Sequence, residues 1–293
     1  MESRRVQGNT SIALKTHLVG LASRLNLRPN TLRVIQEPLR FLERRHYLRL
    51  SETILNSYID QVAQIDGSQT AQDWRIQKII PTVSDLIVAS VTENSGKPAA
   101  ILKIPRTEES RKSALRQAEV LNQLSRDPRL ADFRPYLPVM IARGESNGFT
   151  YSLERCMPGI NAAHLLGDER SRDRLLDSAF DKIHELHAST LTQTYVNDQV
   201  FSRWVGRPIQ RVKDVLRQVS GREDQIEALT RVETELQRRI CGMWLDSAWT
   251  HGDYVPGNIL ATQDGSAITG IIDWELARPE ELPGLDLIQF CIS

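Results

Sequence analysis

An abrupt change in the spacing of apolar residues most strongly restricts what this chain can fold into. Two runs rich in β-branched and apolar residues flank the turn cluster Glu93–Lys97, which predicts an antiparallel hairpin. A helical pattern capped by Thr107 follows and reaches about Ser125. The predicted strands are residues 85–92, 98–104, 136–143 and 149–155. We therefore expect a small sheet that carries one helix.

Beyond Met157-Pro158-Gly159 the pattern becomes almost wholly helical as far as Leu245. Short strands return at residues 259–262 and 267–272. The fold class is thus α+β, with a mixed part followed by a helical part. The join lies near residue 156, and ligand clefts commonly form at such junctions.

The N-terminal segment shows a different, purely helical pattern. Apolar residues between 10 and 66 recur at helical spacing, with breaks at residues 28–30 and 50–52. These breaks predict three helices, with fresh N-caps at Asn30 or Thr31 and at Ser51. No catalytic constellation is present in this segment. We expect a helical extension that docks on the rest of the chain, on a partner chain or on a second copy.

Composition excludes several classes of protein. The 293 residues include no apolar run long enough to span a bilayer, and the start lacks the apolar core of a signal peptide. The three cysteines form no CxxC pair, which favours a reducing, cytoplasmic location. Residues 1–50 hold ten Lys and Arg against three acidic residues. Because these charges are spread through a helical pattern, we interpret them as a solvated or docked face and expect no nucleic-acid partner.

The most specific motif lies near the carboxyl end. His251-Gly252-Asp253-Tyr254-Val255-Pro256-Gly257-Asn258 is followed by Ile271-Ile272-Asp273-Trp274-Glu275. Taken singly, Asp253 could cap a turn, Asn258 could adopt a left-handed conformation, and Asp273 could end a strand. Taken together, a hairpin that folds back can bring all three to one point. Oxygen ligands at Asn258 and Asp273 suit Mg²⁺ shared with a nucleotide, which leaves Asp253 to accept a proton from a hydroxyl.

This motif resembles the catalytic segment of the aminoglycoside phosphotransferase and choline kinase family, which has a protein-kinase-like fold. The resemblance implies that Asp253 is the catalytic base and that Asn258 and Asp273 hold Mg²⁺. It implies structural support from His251, which braces the loop. Gly284-Leu285-Asp286-Leu287 looks like a later element of the family whose aspartate buttresses the catalytic loop, so Asp286 is expected to be structural.

The resemblance also implies nucleotide-binding residues in the mixed part. Lys103 on the strand at 98–104 is expected to pair with Glu119 on the following helix and to position the phosphates. The phosphate-covering loop at residues 80–86 contains no glycine, so backbone N–H groups and Ser84 would bind the phosphate. The linker at residues 153–159, with Glu154 and Cys156, is expected to meet adenine.

The whole chain is accordingly expected to have a two-lobed protein-kinase-like fold with an N-terminal helical extension. The divisions are 1–72 for the extension, 73–156 for the small mixed lobe and 157–293 for the helical lobe. The helical lobe looks truncated at Ser293: the chain is a fragment, or the extension or a partner supplies the missing wall.

The implied function is transfer of the γ-phosphoryl group of ATP, with Mg²⁺, to a hydroxyl of a small molecule. Two alternatives remain open. One is a non-catalytic nucleotide-binding or scaffold protein, which the glycine-free loop and short C-terminus favour. The other is a metal-dependent hydrolase that uses His251, Asp253 and Asp273, although we find no further ligands for it.

Overall fold

A computed structural model describes residues 29–66, 73–82, 85–219 and 222–293. The helices are α1 (Pro29–Asp66), α2 (Glu108–Arg126), α3 (Glu169–Thr190), α4 (Asp198–Phe201), α5 (Arg207–Val219), α6 (Glu223–Ile240) and α7 (Gly284–Ile292). The strands are β1 (Trp74–Ile80), β2 (Leu86–Glu93), β3 (Pro98–Pro105), β4 (Met140–Ser146), β5 (Phe149–Arg155), β6 (Ile160–Asn161), β7 (Thr192–Tyr195), β8 (Trp244–Thr250), β9 (Ile259–Ala261), β10 (Ile268–Ile271) and β11 (Arg278–Glu281). The described residues divide into two compact units.

The first unit contains α1, β1 and residues 87–98. β1 pairs antiparallel with β2, and α1 packs along β1. The ring of Tyr58 on α1 stacks on that of Trp74, with centroids 6.4 Å apart. Ile54 and Leu55 are buried on the same helix, so burial of apolar side chains, and not helix propensity alone, stabilises its second half.

The second unit contains residues 99–293 together with the short segment around Leu86. Its first sheet is antiparallel, with β5 between β3 and β4. α2 follows β3 and begins with a capping box, in which Thr107 accepts the N–H of Ser110 while the Ser110 hydroxyl accepts the N–H of Thr107. The buried residues of α2 are Gln117, Val120, Leu121 and Leu124.

The main core of this unit joins α2 and α3 to the chain around the β9–β10 hairpin. Leu124, Ile183, Ile259, Ile271 and Trp274 are almost completely buried in it. β9 lies between β10 and β6, and β8 lies between β11 and β7, all pairs being antiparallel. Two strand ends, that of β8 and that of β10, therefore carry the two halves of the motif found in the sequence.

Several predicted elements match the structure closely. The strand at 149–155 and the helix capped by Thr107 are confirmed, and the two C-terminal strands agree within one residue at each end. Within the described residues, no helix has both the length and the apolarity required to cross a membrane.

Three predicted boundaries are wrong. The described helix begins at Pro29, within two residues of the predicted cap at Asn30 or Thr31, and it continues to Asp66. Ser51 therefore does not start a new helix and is instead buried beside Ile54. The first predicted helix lies outside the described residues. Tyr136 belongs to a 3₁₀ turn, and β4 starts only at Met140, because Pro135 and Pro138 cannot donate to a ladder.

The third error concerns the end of the helical part. α6 ends at Ile240, and Gly242, with a φ of 85°, reverses the chain into β8. β8 then pairs with β7, a strand that the helical pattern did not reveal. The division of the chain at residues 72 and 156 stays a prediction.

Candidate active site

The loop from His251 to Asn258 connects β8 to β9, and its first two residues are fixed by Asp286. The buried carboxylate of Asp286 on α7 accepts the backbone N–H of His251 at 2.8 Å and that of Gly252 at 2.9 Å. Nε2 of His187 on α3 lies 3.0 Å from the same carboxylate and donates to it. Asp286 thus ties this loop to two helices of the core.

His251 is buried and uses both ring nitrogens inside the protein. Nε2 donates to the carbonyl oxygen of Ile272 at 2.9 Å, and Nδ1 accepts the N–H of Asp253 at 3.3 Å. Burial lowers the pKa of His251, and this effect outweighs the attraction of Asp286. A neutral imidazole satisfies both contacts, so His251 joins the loop to the end of the β10 strand.

Asp253 is the half-exposed carboxylate of the loop, and both of its oxygens are held by amides. Asn258 Nδ2 donates to Oδ2 of Asp253 at 2.8 Å and to its carbonyl oxygen at 3.0 Å. Gln289 Nε2 on α7 donates to Oδ1 at 2.9 Å. Each carboxylate oxygen has a second lone pair, so a held Asp253 can still accept a proton.

Asp273 follows β10 and lies beside the segment that carries Asn258. The N–H of Ile272 donates to the carbonyl oxygen of Asn258 at 2.9 Å, which continues the β9–β10 pairing by one step. Asp273 itself has φ 63° and ψ 61°, a left-handed conformation that aspartate tolerates better than most residues. The turn out of the strand therefore begins at the proposed metal ligand.

Lys103 on β3 reaches Asp273, although 170 positions separate them in the chain. Its Nζ lies 2.9 Å from Oδ1 of Asp273 and 3.1 Å from Oε2 of Glu154 on β5. Burial by itself lowers the pKa of Lys103, but the attraction of Glu154 and Asp273 is stronger and raises it above its ordinary value. Lys103 is accordingly a charged ammonium between two carboxylates.

The prediction that Lys103 pairs with Glu119 on the helix is wrong. Glu119 is exposed on α2, whereas Lys103 pairs with Glu154 and Asp273. The reason is the rotation of α2 about its own axis, which decides the face of the helix that is buried. Leu115 is 47% exposed although it is apolar, and the buried face is that of Gln117.

Glu154 does not lie in a linker as expected. It lies in the central strand of the β3–β5–β4 sheet, opposite Ile101 on one side and Met140 on the other, and the residue as a whole is 4% exposed. A contact between adenine and the backbone near Glu154 stays a prediction. The N–H of Cys156 donates to the carbonyl oxygen of Ala99 at 3.0 Å, so it is not free for adenine. Ser84 lies outside the described residues.

The donor set fits Mg²⁺. Among the residues that the structure describes, Oδ1 of Asn258 and Oδ2 of Asp273 make no hydrogen bond. One carboxylate and one amide oxygen are enough for Mg²⁺, which keeps several waters and takes substrate phosphates as further ligands. Asn258 and Asp273 would hold the ion.

Sequence reasoning missed Gln117 and Gln289. Gln117 donates to Oε1 of Glu154 at 2.6 Å, and Gln289 donates to Asp253. The sequence positions of both residues could have indicated that they face inward. Gln117 lies four residues before buried Leu121, and Gln289 lies three residues after Asp286, so each shares the inward face of its helix.

Comparison with known proteins places the chain in a family. A family model described as the phosphotransferase enzyme family (APH) matches residues 77–287. No curated protein matches the sequence.

Solved structures of aminoglycoside phosphotransferases are similar at low identity. A streptomycin–ATP ternary complex of APH(2″)-IIa is 17% identical with a TM-score of 0.49, covering 80% of this chain and 75% of that chain. APH(3″)-Id from Streptomyces rimosus, in complex with ADP and streptomycin, is 15% identical with a TM-score of 0.49, covering 80% and 81%. An aminoglycoside-3′-phosphotransferase of type VIII is 18% identical with a TM-score of 0.46, covering 75% and 76%.

The family match decides the assignment. It runs from β1 to α7 and includes Lys103, Asp253 and Asp273. The family resemblance and the α+β fold class expected from the sequence are thereby confirmed. This chain belongs to the phosphotransferase enzyme family.

Proposed function

We propose that this chain transfers the γ-phosphoryl group of ATP to a hydroxyl group of a small molecule, with Mg²⁺ as the metal. The observation that carries the proposal is the ion pair of 2.9 Å between Lys103 and Asp273. It joins a cation that suits phosphate to an oxygen ligand that suits Mg²⁺. Phosphoryl transfer needs these two charges at one place, because most of its acceleration comes from positioning and electrostatics.

Asp253 is the proposed base. Asn258 and Gln289 fix the orientation of its carboxylate, so a hydroxyl that approaches the remaining lone pairs meets an oriented acceptor. Asp253 would orient this hydroxyl and take its proton. Lys103 would bind phosphate oxygens, while bound Mg²⁺ would offset further negative charge on the phosphates.

The side-chain amide of Asn258 supports this division of roles. Asn258 has two ends with different tasks, since Nδ2 donates to Asp253 while Oδ1 remains for the metal. One residue therefore couples the position of the base to the position of the ion. His251 and Asp286 would hold the loop without touching the reacting atoms.

The experiment is a panel of hydroxyl-bearing small molecules with Mg-ATP, scored by ADP release above the background without acceptor. We expect at least one acceptor to raise the rate. Asp253→Asn should abolish transfer but keep the rise in Tm that Mg-ATP causes. Asp264→Asn is the matched control, because Asp264 is an exposed carboxylate at the turn of the neighbouring β9–β10 hairpin.

Two results would contradict the proposal in different ways. A rise in Tm with Mg-ATP but no transfer to any acceptor would favour the nucleotide-binding scaffold, to which the glycine-free loop between β1 and β2 already points. If the protein showed neither a rise in Tm with Mg-ATP nor turnover, ATP would be excluded as its substrate.

A further inference from the structure

Three buried polar side chains form a continuous row in the second unit. Gln117 Nε2 donates to Oε1 of Glu154 at 2.6 Å, and the other oxygen of Glu154 lies 3.1 Å from Nζ of Lys103. Exposure is 6% for Gln117, 4% for Glu154 and 8% for Lys103. A buried carboxylate is costly unless its oxygens are paired, and here both are.

The sheet explains why Glu154 meets Lys103. In the β3–β5 pairing, Ile101 lies opposite Glu154 and Lys103 lies opposite Ser152. Side chains two residues apart share one face of a strand, so Lys103 and Glu154 are diagonal neighbours on the same face. Their contact is fixed by strand register and does not depend on the position of a helix.

The two carboxylates around Lys103 differ in access. The side chain of Asp273 is 38% exposed, whereas that of Glu154 is 5% exposed. A ligand can therefore reach Asp273 but not Glu154. A metal ion bound to Asp273 would weaken the attraction between Asp273 and Lys103. Glu154 would then remain as the anion that pairs with the buried ammonium.

We propose that Glu154, oriented by Gln117, is the positioning residue that anchors Lys103 toward the phosphates. This inference rests on the proposed function. It assigns to a strand glutamate the role that the family resemblance implies for Glu119 on the helix. Glu119 cannot take it in this geometry, since Glu119 lies on the exposed face of α2.

The first test compares three glutamates by isosteric substitution. Glu154→Gln should lower the rate of ADP release at saturating Mg-ATP by about 10- to 100-fold, the usual effect of losing a residue that orients a functional group. The dissociation constant for Mg-ATP should change by less than about threefold, because the lost contact is to Lys103 and not to the nucleotide. Glu119→Gln should stay within about twofold of wild type in both, as should Glu145→Gln, an exposed control on β4.

A double-mutant cycle separates positioning from a general structural role. In a Lys103→Met background, Glu154→Gln should cause no further loss of rate, because its effect passes through Lys103. A residue that merely stabilises the fold would lower the rate in both backgrounds. Equal losses in the two backgrounds would overturn the proposal, as would a Glu119→Gln enzyme that is impaired while Glu154→Gln is not.

A readout without nucleotide keeps this inference separate from the proposed function. The ¹⁵N NMR signal of the Lys103 ammonium should shift in Glu154→Gln and stay unchanged in Glu119→Gln. If wild type fails to bind Mg-ATP, the proposed function fails, and this signal still decides which carboxylate anchors Lys103. If Glu154→Gln does not fold, Gln117→Leu replaces it, and the Lys103 signal is again expected to shift. An unchanged Lys103 signal in Gln117→Leu would contradict the proposal that Gln117 orients Glu154.

Discussion

The carboxylate of Asp286 accepts the backbone N–H of Gly252 at 2.9 Å, although 34 positions separate the two residues. The second oxygen accepts the N–H of His251 and contacts His187. Asp286→Ala would leave these three donors, two of them on buried residues, without an acceptor. We expect the free energy of unfolding to fall by about 3–5 kcal/mol, as for other broken buried pairs.

Urea unfolding measures this loss. Asp224→Ala is the control, because Asp224 is exposed on α6 and its removal should change stability by no more than about 0.5 kcal/mol. An Asp286→Ala protein as stable as this control would show that the loop does not depend on Asp286.

Gly252 and Gly257 in the same loop should differ in how much stability they lose when replaced by alanine. Gly252 has a φ of 77°, and an added Cβ would lie 2.5 Å from the carbonyl oxygen of Leu276, whereas a Cβ on Gly257 would meet nothing within 4 Å. Gly252→Ala should therefore lower the free energy of unfolding by at least about 2 kcal/mol. Gly257→Ala should change it by less than about 1 kcal/mol. Similar values for the two variants in urea unfolding would contradict the geometry of the loop.

Gln289 offers a way to perturb Asp253 without altering it. Gln289→Glu would put a second carboxylate where an amide now donates to Oδ1 of Asp253 at 2.9 Å. A nearby like charge disfavours the ionised form of a base, so the acid limb of the pH–rate profile should move to higher pH. Gln289→Met removes the same hydrogen bond without adding charge.

The measurement is the rate of transfer as a function of pH at saturating Mg-ATP, with an acceptor found in the panel. The limb should move further for Gln289→Glu than for Gln289→Met, because both variants lose the amide donor and only the first adds a charge. A limb that moves in neither variant would mean that the limiting ionisation does not belong to Asp253.

Local patterns in the sequence predicted most of the local geometry of the candidate site. Thr107 caps α2 because its hydroxyl meets the N–H of Ser110, a relation confined to three residues. Asn258 and Asp273 lie side by side because one short hairpin separates them, and its apolar strands were visible as such. Where spacing in the sequence sets spacing in the fold, the prediction succeeded.

Relations across the fold could not be read in this way. Whether Gln117 or Glu119 faces inward depends on the rotation of α2 against its neighbours, and a helix with Leu115 exposed has a misleading apolar stripe. Glu154 was assigned to a linker because its pairing with β3 depends on a strand fifty positions earlier. β7 likewise becomes a strand only through β8.

The stability of the protein should fall in mild acid through His251. This imidazole is buried near the carboxylates of Asp286, Asp253 and Asp273, and burial holds its pKa below the ordinary value of 6.5. Between the lowered pKa and about 6.5 the unfolded chain binds a proton that the folded protein does not, so stability rises with pH in this window and is lost as the pH falls through it.

Measurements of Tm between pH 5 and 8, at about half-unit steps, should show this slope in wild type. His251→Gln should flatten it, since its amide can still donate to the carbonyl oxygen of Ile272, whereas His184→Gln, at an exposed position on α3, should leave it unchanged. A His251→Gln protein with the wild-type slope would assign the acid sensitivity to another group and remove His251 as its source.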